Sequence, residues 1–269
     1  MKVASMEFQT LTFEKRENGL GILKLNRPDK RNAVNLDMIN ELNEFFGMMM
    51  KDEETRVIAF LGEGASFCAG LDLKGGASLP KGTPAIYQMN KDGMDVFLKM
   101  RRCPQPIVCG MQGHVYGVGF SYALAADIRL LAEDVKIQAT FTRIGLSGTD
   151  TATSFMLPRV AGFSNAADIL LTARTIEAAE AYHMGIGSAV VPVDKLEEAV
   201  LEKCAAVLAN GPFGIRLTKW TLNHSIDVPS MESILALEIA NQTMTISGKD
   251  FMEGVASLLE KRPADWKDK

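Results

Sequence analysis

The chain has 269 residues, of which 47% are hydrophobic and 23% charged, and its formal net charge is −4. This length suffices for one large domain or two smaller ones with a sizeable core. A negative net charge gives no general attraction to nucleic acid or anionic membranes, so neither is expected as a partner. No apolar run approaches the roughly 18–20 residues of a membrane span, and the first residues contain no apolar signal-peptide core.

The four cysteines are Cys68, Cys103, Cys109 and Cys204. They form no CxxC pair, and none has a histidine nearby at metal-ligand spacing. The pattern favours reduced, mostly buried thiols in a cytoplasmic protein. It predicts neither a metal site nor a resident cofactor.

Predicted strands alternate with predicted helices as far as residue 192. A hairpin turn at 17–19 (ENG) joins strands at 8–14 and 20–25, and a basic loop follows at 26–32. Further strands are predicted at 57–61, 107–111, 127–131, 135–138 and 188–192, and helices at 36–50, 85–100, 120–126, 151–173, 177–184 and 195–208. This alternation predicts an α/β fold with a mainly parallel sheet.

Two features divide the second half of the chain. Pro158 lies near the middle of the helical segment 151–173 and predicts a break there. Beyond residue 211 only helices are predicted, at 212–223, 230–246 and 249–261. We therefore expect a core over residues 1–200 and a helical region over 201–269.

Two glycine-rich stretches have the same character. Residues 64–74, the first glycine turn, follow the predicted strand at 57–61. Residues 113–119, the second glycine turn, follow the strand at 107–111 and open a helix. Such turns can direct backbone N–H groups at an oxygen that becomes negative during a reaction. Together they predict an oxyanion hole.

The chain resembles the crotonase superfamily, also called the enoyl-CoA hydratase/isomerase family. Matching segments occur in the expected order over nearly the whole chain: 25–33 (LNRPDKRNA), 66–72 (SFCAGLD), 113–119 (GHVYGVG) running into 126–128 (ADI), 157–162 (LPRVAG) and 251–263 (FMEGVASLLEKRP). The resemblance implies a crotonase (ClpP-like) fold of repeated ββα units. It also implies a helical C-terminal trimerisation region, with trimers that can pair into hexamers.

By the same resemblance, the two oxyanion-hole amides are those of Leu71 and Val118. Removing one such donor typically costs roughly 3–4 kcal/mol of transition-state stabilisation. The substrate implied is an acyl-CoA thioester, with coenzyme A as part of the substrate rather than a cofactor. Residues implied to contact the CoA moiety or the acyl group are Lys30, Arg31, Ala69, Gly70, Leu71, Asp72, Leu73, Lys74 and Phe141. For Lys30 and Arg31, a solvated basic loop is an equally good interpretation.

The chain departs from the family at the residues that move protons. Hydratases of this family position and deprotonate water with two glutamates. The resemblance places Ser121 at the first glutamate position and Phe141 at the second. Neither side chain is a general base near pH 7, so the sequence argues against the two-glutamate hydration mechanism.

Two other groups are candidates for the proton transfer. Some isomerases of the family carry an Asp near Gly145, and Asp150 matches that position after a one-residue insertion. Asp150 could equally be the N-cap of a helix that starts near Thr151. His114 has an ordinary pKa that suits acid–base chemistry, although packing is the more favoured role for it.

The sequence leaves several functions open. The first is an enzyme that acts on an unsaturated acyl-CoA through a stabilised enolate, by isomerisation or hydration. Another is a catalytically weak acyl-CoA-binding protein that retained the fold and lost the acids. Other chemistries of the family, such as thioester hydrolysis or decarboxylation, share the oxyanion hole and also remain possible.

Overall fold

The computed structural model of the chain describes residues 8–73 and 81–267. Its strands, in chain order, are β1 (Leu11–Lys15), β2 (Leu20–Leu25), β3 (Val57–Gly62), β4 (Ile107–Met111), β5 (His114–Tyr116), β6 (Ile128–Ala132), β7 (Lys136–Gln138), β8 (Ile176–Glu177) and β9 (Ala189–Val191). Its helices are α1 (Leu36–Met49), α2 (Thr83–Arg102), α3 (Val118–Ala125), α4 (Thr153–Ala161), α5 (Phe163–Thr172), α6 (Ala178–His183), α7 (Leu196–Leu208), α8 (Pro212–Ser225), α9 (Met231–Ile246) and α10 (Lys249–Glu260).

The strands form two sheets. The larger has the order β1-β2-β3-β4-β6-β9, and the smaller has the order β5-β7-β8. β1 pairs with β2 antiparallel, whereas β2, β3, β4, β6 and β9 are joined by parallel pairs. The predicted parallel α/β architecture is therefore confirmed, and it brings the carboxyl ends of β3 and β4, where the two glycine turns begin, to one edge of the sheet.

The larger sheet is covered on both faces. α1 begins after Asn35, whose side chain accepts the Met38 N–H at 3.0 Å and so supplies the N-cap. The apolar face of α1 then packs on the sheet, with the Phe46 and Phe60 ring centroids 6.4 Å apart. The opposite face of the sheet is covered by α7, in a second cluster that contains Val200 and Cys204. Burial on both sides explains why β3 is a continuous apolar run.

Two local features differ from the predictions. The helical segment predicted to break near Pro158 instead breaks at Gly162, which has φ 79°. Pro158 is the sixth residue of α4, so it forfeits only the hydrogen bond to the Ser154 carbonyl, and the short helix tolerates that loss. The strand β5, at residues 114–116 inside the second glycine turn, was not predicted, because three residues give too little pattern.

Other features agree with the sequence or qualify it. All four cysteines are buried and free. Within the described ranges, no helix is long and apolar enough to cross a membrane. The domain boundary predicted at residue 200 falls inside α7, whose buried side chains belong to the core of the larger sheet.

α8 is attached to the core by a buried cation. Lys219 is 5% exposed, and its Nζ lies 2.8 Å from a carboxylate oxygen of Asp127. The same ammonium donates to the carbonyls of Met100 at 3.1 Å and Gln105 at 2.8 Å. Asp127 also accepts the backbone N–H of Ile107, the first residue of β4. The network thus connects a C-terminal helix to the central sheet.

We expect Lys219→Met to lower the free energy of unfolding by about 3 kcal/mol, because it leaves two carbonyls and a carboxylate without their shared donor. Lys195→Met is the matched control, since that lysine has an exposed side chain paired only with Glu198 among the described residues. The control should stay within about 0.5 kcal/mol of the wild type. Urea unfolding at one fixed protein concentration measures both, and equal midpoints would contradict this role.

Candidate active site

The basic loop at 26–32 is attached to the first glycine turn by one buried side chain. Asn32 is fully buried and has φ 56°, a left-handed conformation that Asn tolerates better than most residues. Its Nδ2 donates to the Glu63 carbonyl at 2.9 Å and the Ser66 carbonyl at 2.8 Å. Its Oδ1 accepts the Arg27 N–H at 2.8 Å. These three hydrogen bonds give partners to both the Nδ2 and the Oδ1 of a side chain that water does not reach.

The first glycine turn also pairs with the second. The Cys68 N–H donates to the His114 carbonyl at 3.0 Å, and the Tyr116 N–H donates to the Cys68 carbonyl at 2.9 Å. On its other side, Leu71 forms a parallel bridge with Val34. The turn therefore lies as an extra strand between two neighbours, which determines the direction of each backbone N–H.

Glycines allow the two turns to approach closely. Gly70 has φ 92°, and a Cβ there would lie 3.0 Å from the Tyr116 carbonyl oxygen. Gly117 has φ 50°, and a Cβ there would lie 2.9 Å from Thr140 Oγ1 and 4.0 Å from the Cα of Gly70. Any larger residue at either position would be strained and would push the turns apart. The glycines are followed by Leu71 and Val118, which therefore lie on closely packed backbone segments.

The backbone N–H groups of Leu71 and Val118 have no acceptor in the part of the chain that the structure describes. Val118 is the first residue of α3, so its N–H has no acceptor within the helix. The parallel bridge uses the N–H groups of Val34 and Asp72, which leaves the Leu71 N–H outside it. Between described residues, neither group donates a hydrogen bond. Two such donors on adjacent turns can stabilise an oxygen that gains negative charge.

Thr151 links Ser121 on α3 to the carboxylate of Asp150, through its hydroxyl on one side and its backbone N–H on the other. Ser121 is 1% exposed, and its Oγ is hydrogen-bonded to the Thr151 Oγ1. The Thr151 N–H donates to Asp150 Oδ1 at 2.8 Å. Asp150 is half-buried, and burial raises the pKa of its carboxyl, although the Thr151 N–H opposes part of that rise. A raised pKa brings a carboxylate closer to the range of a proton carrier at neutral pH.

The backbone beside Asp150 is unusual. Thr151 and Ala152 have φ 49° and 66°, two consecutive non-glycine residues in the left-handed region. α4 starts only at Thr153, and it has no side-chain cap. Asp150 therefore does not cap this helix with its carboxylate, as one interpretation of the sequence held; the carbonyl of Asp150 accepts the Thr153 N–H instead. Strain of this kind persists where the surrounding structure enforces it, which is common at active sites.

Phe141 and Arg143 lie on the 3-10 turn Thr140–Ile144. Phe141 is buried, and it packs near the second glycine turn, 3.8 Å from where a Gly117 Cβ would lie. It supplies an apolar wall at a position where hydratases of the family carry a glutamate. Arg143 is exposed and forms no ion pair with Asp150.

His114 lies on β5, away from this group. Its Nδ1 is 3.2 Å from the Ser66 Oγ, and its ring packs edge-on against Tyr116 at 5.0 Å between centroids. Burial and the nearby charges of Arg31 and Lys136 lower the pKa of His114, although Asp134 opposes part of the shift. Within the described residues, no contact joins it to Ser121 or Asp150.

The residues assigned by the resemblance to the CoA moiety lie along the first glycine turn and the basic loop. The Ala69 N–H donates to the Arg31 carbonyl at 2.9 Å. The Lys30 and Arg31 side chains are exposed, and neither has an anionic partner among the described residues. Leu73 is 65% exposed. Lys74, the last predicted contact, lies outside the described residues.

Asp72 has a structural partner. Its carboxylate is buried, and it accepts the Arg27 Nη2 at 2.9 Å. Arg27 in turn donates to the Ala33 carbonyl. This pair is a second attachment of the basic loop to the first glycine turn, and it lies one residue beyond the Leu71 N–H.

Sequence reasoning missed three residues of this arrangement. Thr151 joins the Asp150 carboxylate to Ser121, whereas Asn32 and Arg27 hold the basic loop. The signal for Thr151 was weak, since a hydroxyl beside an acidic residue is common. For Asn32 a signal existed: it lies in a loop rich in turn-forming residues, where Asn often adopts a left-handed conformation.

Comparison with known proteins agrees with the fold. A family model described as enoyl-CoA hydratase/isomerase matches residues 15–269. A "Probable enoyl-CoA hydratase" of Mycobacterium bovis is 32% identical over 247 residues, which cover 89% of this chain and 86% of that protein. The 1,2-epoxyphenylacetyl-CoA isomerase of Escherichia coli K12 is 29% identical over 248 residues, which cover 91% and 94%. The crystal structure of an enoyl-CoA hydratase from Bacillus anthracis matches with a TM-score of 0.91 at 28% identity, covering 97% of this chain and 100% of that chain.

We expect Asn32→Asp to lower the free energy of unfolding by about 3 kcal/mol or more, because a carboxylate cannot donate to the two buried carbonyls. Asn90→Asp is the control, since that asparagine is exposed on α2. Thermal unfolding followed by circular dichroism compares the two variants. A melting temperature for Asn32→Asp as high as that of the control would show that the amide does not hold the turn.

Proposed function

The chain belongs to the enoyl-CoA hydratase/isomerase family, and we propose that it acts on an unsaturated acyl-CoA thioester through a stabilised enolate. The crotonase fold expected from the sequence is confirmed by the likeness to solved enoyl-CoA hydratases. One observation carries the proposal: two N–H groups on adjacent glycine turns have no acceptor among the described residues, and the half-buried Asp150 carboxylate is linked to Ser121 of α3 through Thr151. The two N–H groups can donate to a thioester carbonyl oxygen. The carboxylate can remove a proton from the carbon next to that carbonyl.

The two N–H groups stabilise the charge that the reaction creates. Removing a proton from the carbon beside a thioester carbonyl moves negative charge onto the carbonyl oxygen. The N–H groups of Leu71 and Val118 donate to that oxygen, and their benefit is largest in the enolate. Only backbone atoms are required, so leucine and valine are compatible with the role.

Asp150 carries the proton from one carbon to the other. Its ionised carboxylate removes a proton from one carbon of a 3-enoyl thioester, and the resulting acid returns a proton to another carbon of the enolate. The net result is a shifted double bond, with no water consumed. Ser121 and Phe141, at the positions of the family's glutamates, support this one-base reaction over hydration. One relative is named an isomerase, of 1,2-epoxyphenylacetyl-CoA, and another is named a probable enoyl-CoA hydratase.

The basic loop binds the CoA phosphates. Lys30 and Arg31 are exposed cations next to the first glycine turn, and the Arg31 carbonyl holds Ala69. A phosphate there meets positive charge beside Ala69, which comes two residues before Leu71. The pantetheine arm lies along the segment 70–73, which includes the oxyanion donor Leu71.

The helical C-terminal region joins copies of the chain into trimers, which can pair into hexamers. α9 buries none of its side chains within the chain, and Leu258 and Leu259 on α10 are 79% and 77% exposed. So much apolar surface on two helices needs a cover. Light scattering coupled to size-exclusion chromatography should give three or six times the 29.3 kDa mass of one chain. A single-chain mass at micromolar concentration would contradict this assembly.

We expect Asp150→Asn to reduce isomerisation of 3-hexenoyl-CoA by about 10²–10⁴-fold, because the amide cannot accept the proton. The shape of the side chain is preserved, so the affinity for a saturated acyl-CoA should change little. Formation of the conjugated 2-enoyl thioester is followed by its ultraviolet absorbance. Calorimetric titration with hexanoyl-CoA measures the affinity.

The pH dependence provides a second test of Asp150. The ionised form is the base, and burial raises its pKa. The rate should therefore fall as the pH falls through the raised pKa of Asp150, and Asp150→Asn should lack this acid limb. Activity retained in Asp150→Asn would exclude the carboxylate as the base. Tight binding of several acyl-CoAs by the wild type without any conversion would instead favour a binding protein.

A further inference from the structure

Ser121 acts on the same peptide unit that presents the Val118 N–H. The Gly117 carbonyl accepts the Ser121 N–H at 3.2 Å and the Ser121 hydroxyl at 3.4 Å. A peptide unit is planar, and in the trans form its carbonyl and its N–H point in opposite directions. Two donors on the Gly117 carbonyl therefore determine where the Val118 N–H points.

The two hydroxyl groups lie on one hydrogen-bonded path. The Ser121 Oγ is 3.4 Å from the Gly117 carbonyl oxygen and is also hydrogen-bonded to the Thr151 Oγ1, a bond in which either hydroxyl can donate. When Thr151 donates to Ser121 and Ser121 donates to Gly117, the chain of donors runs from Thr151 through Ser121 to the peptide of residues 117 and 118. Such chains are cooperative, since each bond polarises the next. When the Gly117 carbonyl accepts these hydrogen bonds, the Val118 N–H of the same peptide unit becomes a stronger donor.

Thr151 has a second contact, on the side of the base. Its N–H donates to Asp150 Oδ1 at 2.8 Å. The left-handed backbone at Thr151, with φ 49°, directs the N–H to the carboxylate while the hydroxyl reaches Ser121. One residue thus contacts both the group that moves the proton and the chain that orients the oxyanion donor.

We propose that Ser121 and Thr151 form a positioning pair that fixes the Val118 N–H and the Asp150 carboxylate relative to each other. This inference rests on the proposed function of the site. Neither hydroxyl exchanges a proton with the substrate; the pair acts through the Gly117–Val118 peptide and through Asp150. By the resemblance, Ser121 lies where a hydratase of the family has a glutamate. It makes Thr151 a residue on which the rate depends.

The test compares variants that differ by one hydroxyl. Thr151→Ala and Thr151→Ser both remove the Thr151 methyl group and the crowding it adds at a left-handed residue, but only the serine retains the donor. Ser121→Ala and the double variant Ser121→Ala/Thr151→Ala complete the cycle. Each is assayed with 3-hexenoyl-CoA for turnover. Each is also titrated with cinnamoyl-CoA, a chromophore whose absorbance moves to longer wavelength when its thioester carbonyl is polarised.

We expect Thr151→Ala and Ser121→Ala to lower kcat by about 10–100-fold with KM within about threefold, since positioning is lost and binding is not. Thr151→Ser should restore kcat to within about threefold of the wild type. The double variant should lose no more than the larger single loss, because the two hydroxyls act as one unit. The red shift of bound cinnamoyl-CoA should shrink in the alanine variants and persist in Thr151→Ser.

Three results would overturn the proposal. They are a wild-type kcat in Thr151→Ala, an equal loss in Thr151→Ala and Thr151→Ser, and a cinnamoyl-CoA spectrum that does not depend on the hydroxyls. The spectrum also separates this inference from the proposed reaction. If the wild type polarises cinnamoyl-CoA but converts no enoyl-CoA, the isomerase function fails, whereas the spectra of the variants still decide the role of the pair.

Discussion

The geometry of the site depends on how closely the two glycine turns approach. A Cβ at Gly119 would lie 2.6 Å from the Cβ of Cys68, so α3 begins in direct contact with the first turn. The approach is possible only because no side chain intervenes at Gly70, Gly117 or Gly119. It places two peptide units from distant parts of the chain side by side. Their N–H groups are then already oriented when charge appears, and no reorganisation is needed during the reaction.

The side chains that attach the basic loop to the first glycine turn are polar and buried. Their hydrogen bonds are therefore specific, and a substitution that removes a donor is destabilising. Asn32 and the Arg27–Asp72 pair hold the basic loop on one side of the first turn. An apolar replacement could fill the space, but it would leave buried carbonyls without donors. The loop that presents Lys30 and Arg31 to solvent therefore has the same anchor as the turn that presents the Leu71 N–H. The anchor therefore joins the proposed binding site of the CoA moiety to one of the proposed oxyanion donors.

The proton-moving side of the site is built differently. Asp150 lies in a segment with two strained residues and an exposed surface, whereas Ser121 lies in the core. A half-buried carboxylate gains basicity from its surroundings, and its charged form is correspondingly less favourable. The apolar Phe141 adds to that environment without adding a second acid. The proposed site therefore combines buried backbone donors with the Asp150 carboxylate, which lies in a loop before α4.

The sequence by itself determined the class of fold, the two glycine turns and the mismatch at the proton-moving positions. The fold class and the turns depend on local patterns: apolar strands, helical periodicity and glycines at fixed spacing. The mismatch depends on the resemblance to the family. The sequence also placed most helices within a few residues, although Pro158 misled because a prolyl residue early in a short helix forfeits only one bond. Tertiary structure decided the rest. Thr151 contacts Ser121, thirty residues earlier, and Asn32 binds a turn more than thirty residues later. Such contacts depend on how separate elements pack, which no local pattern records.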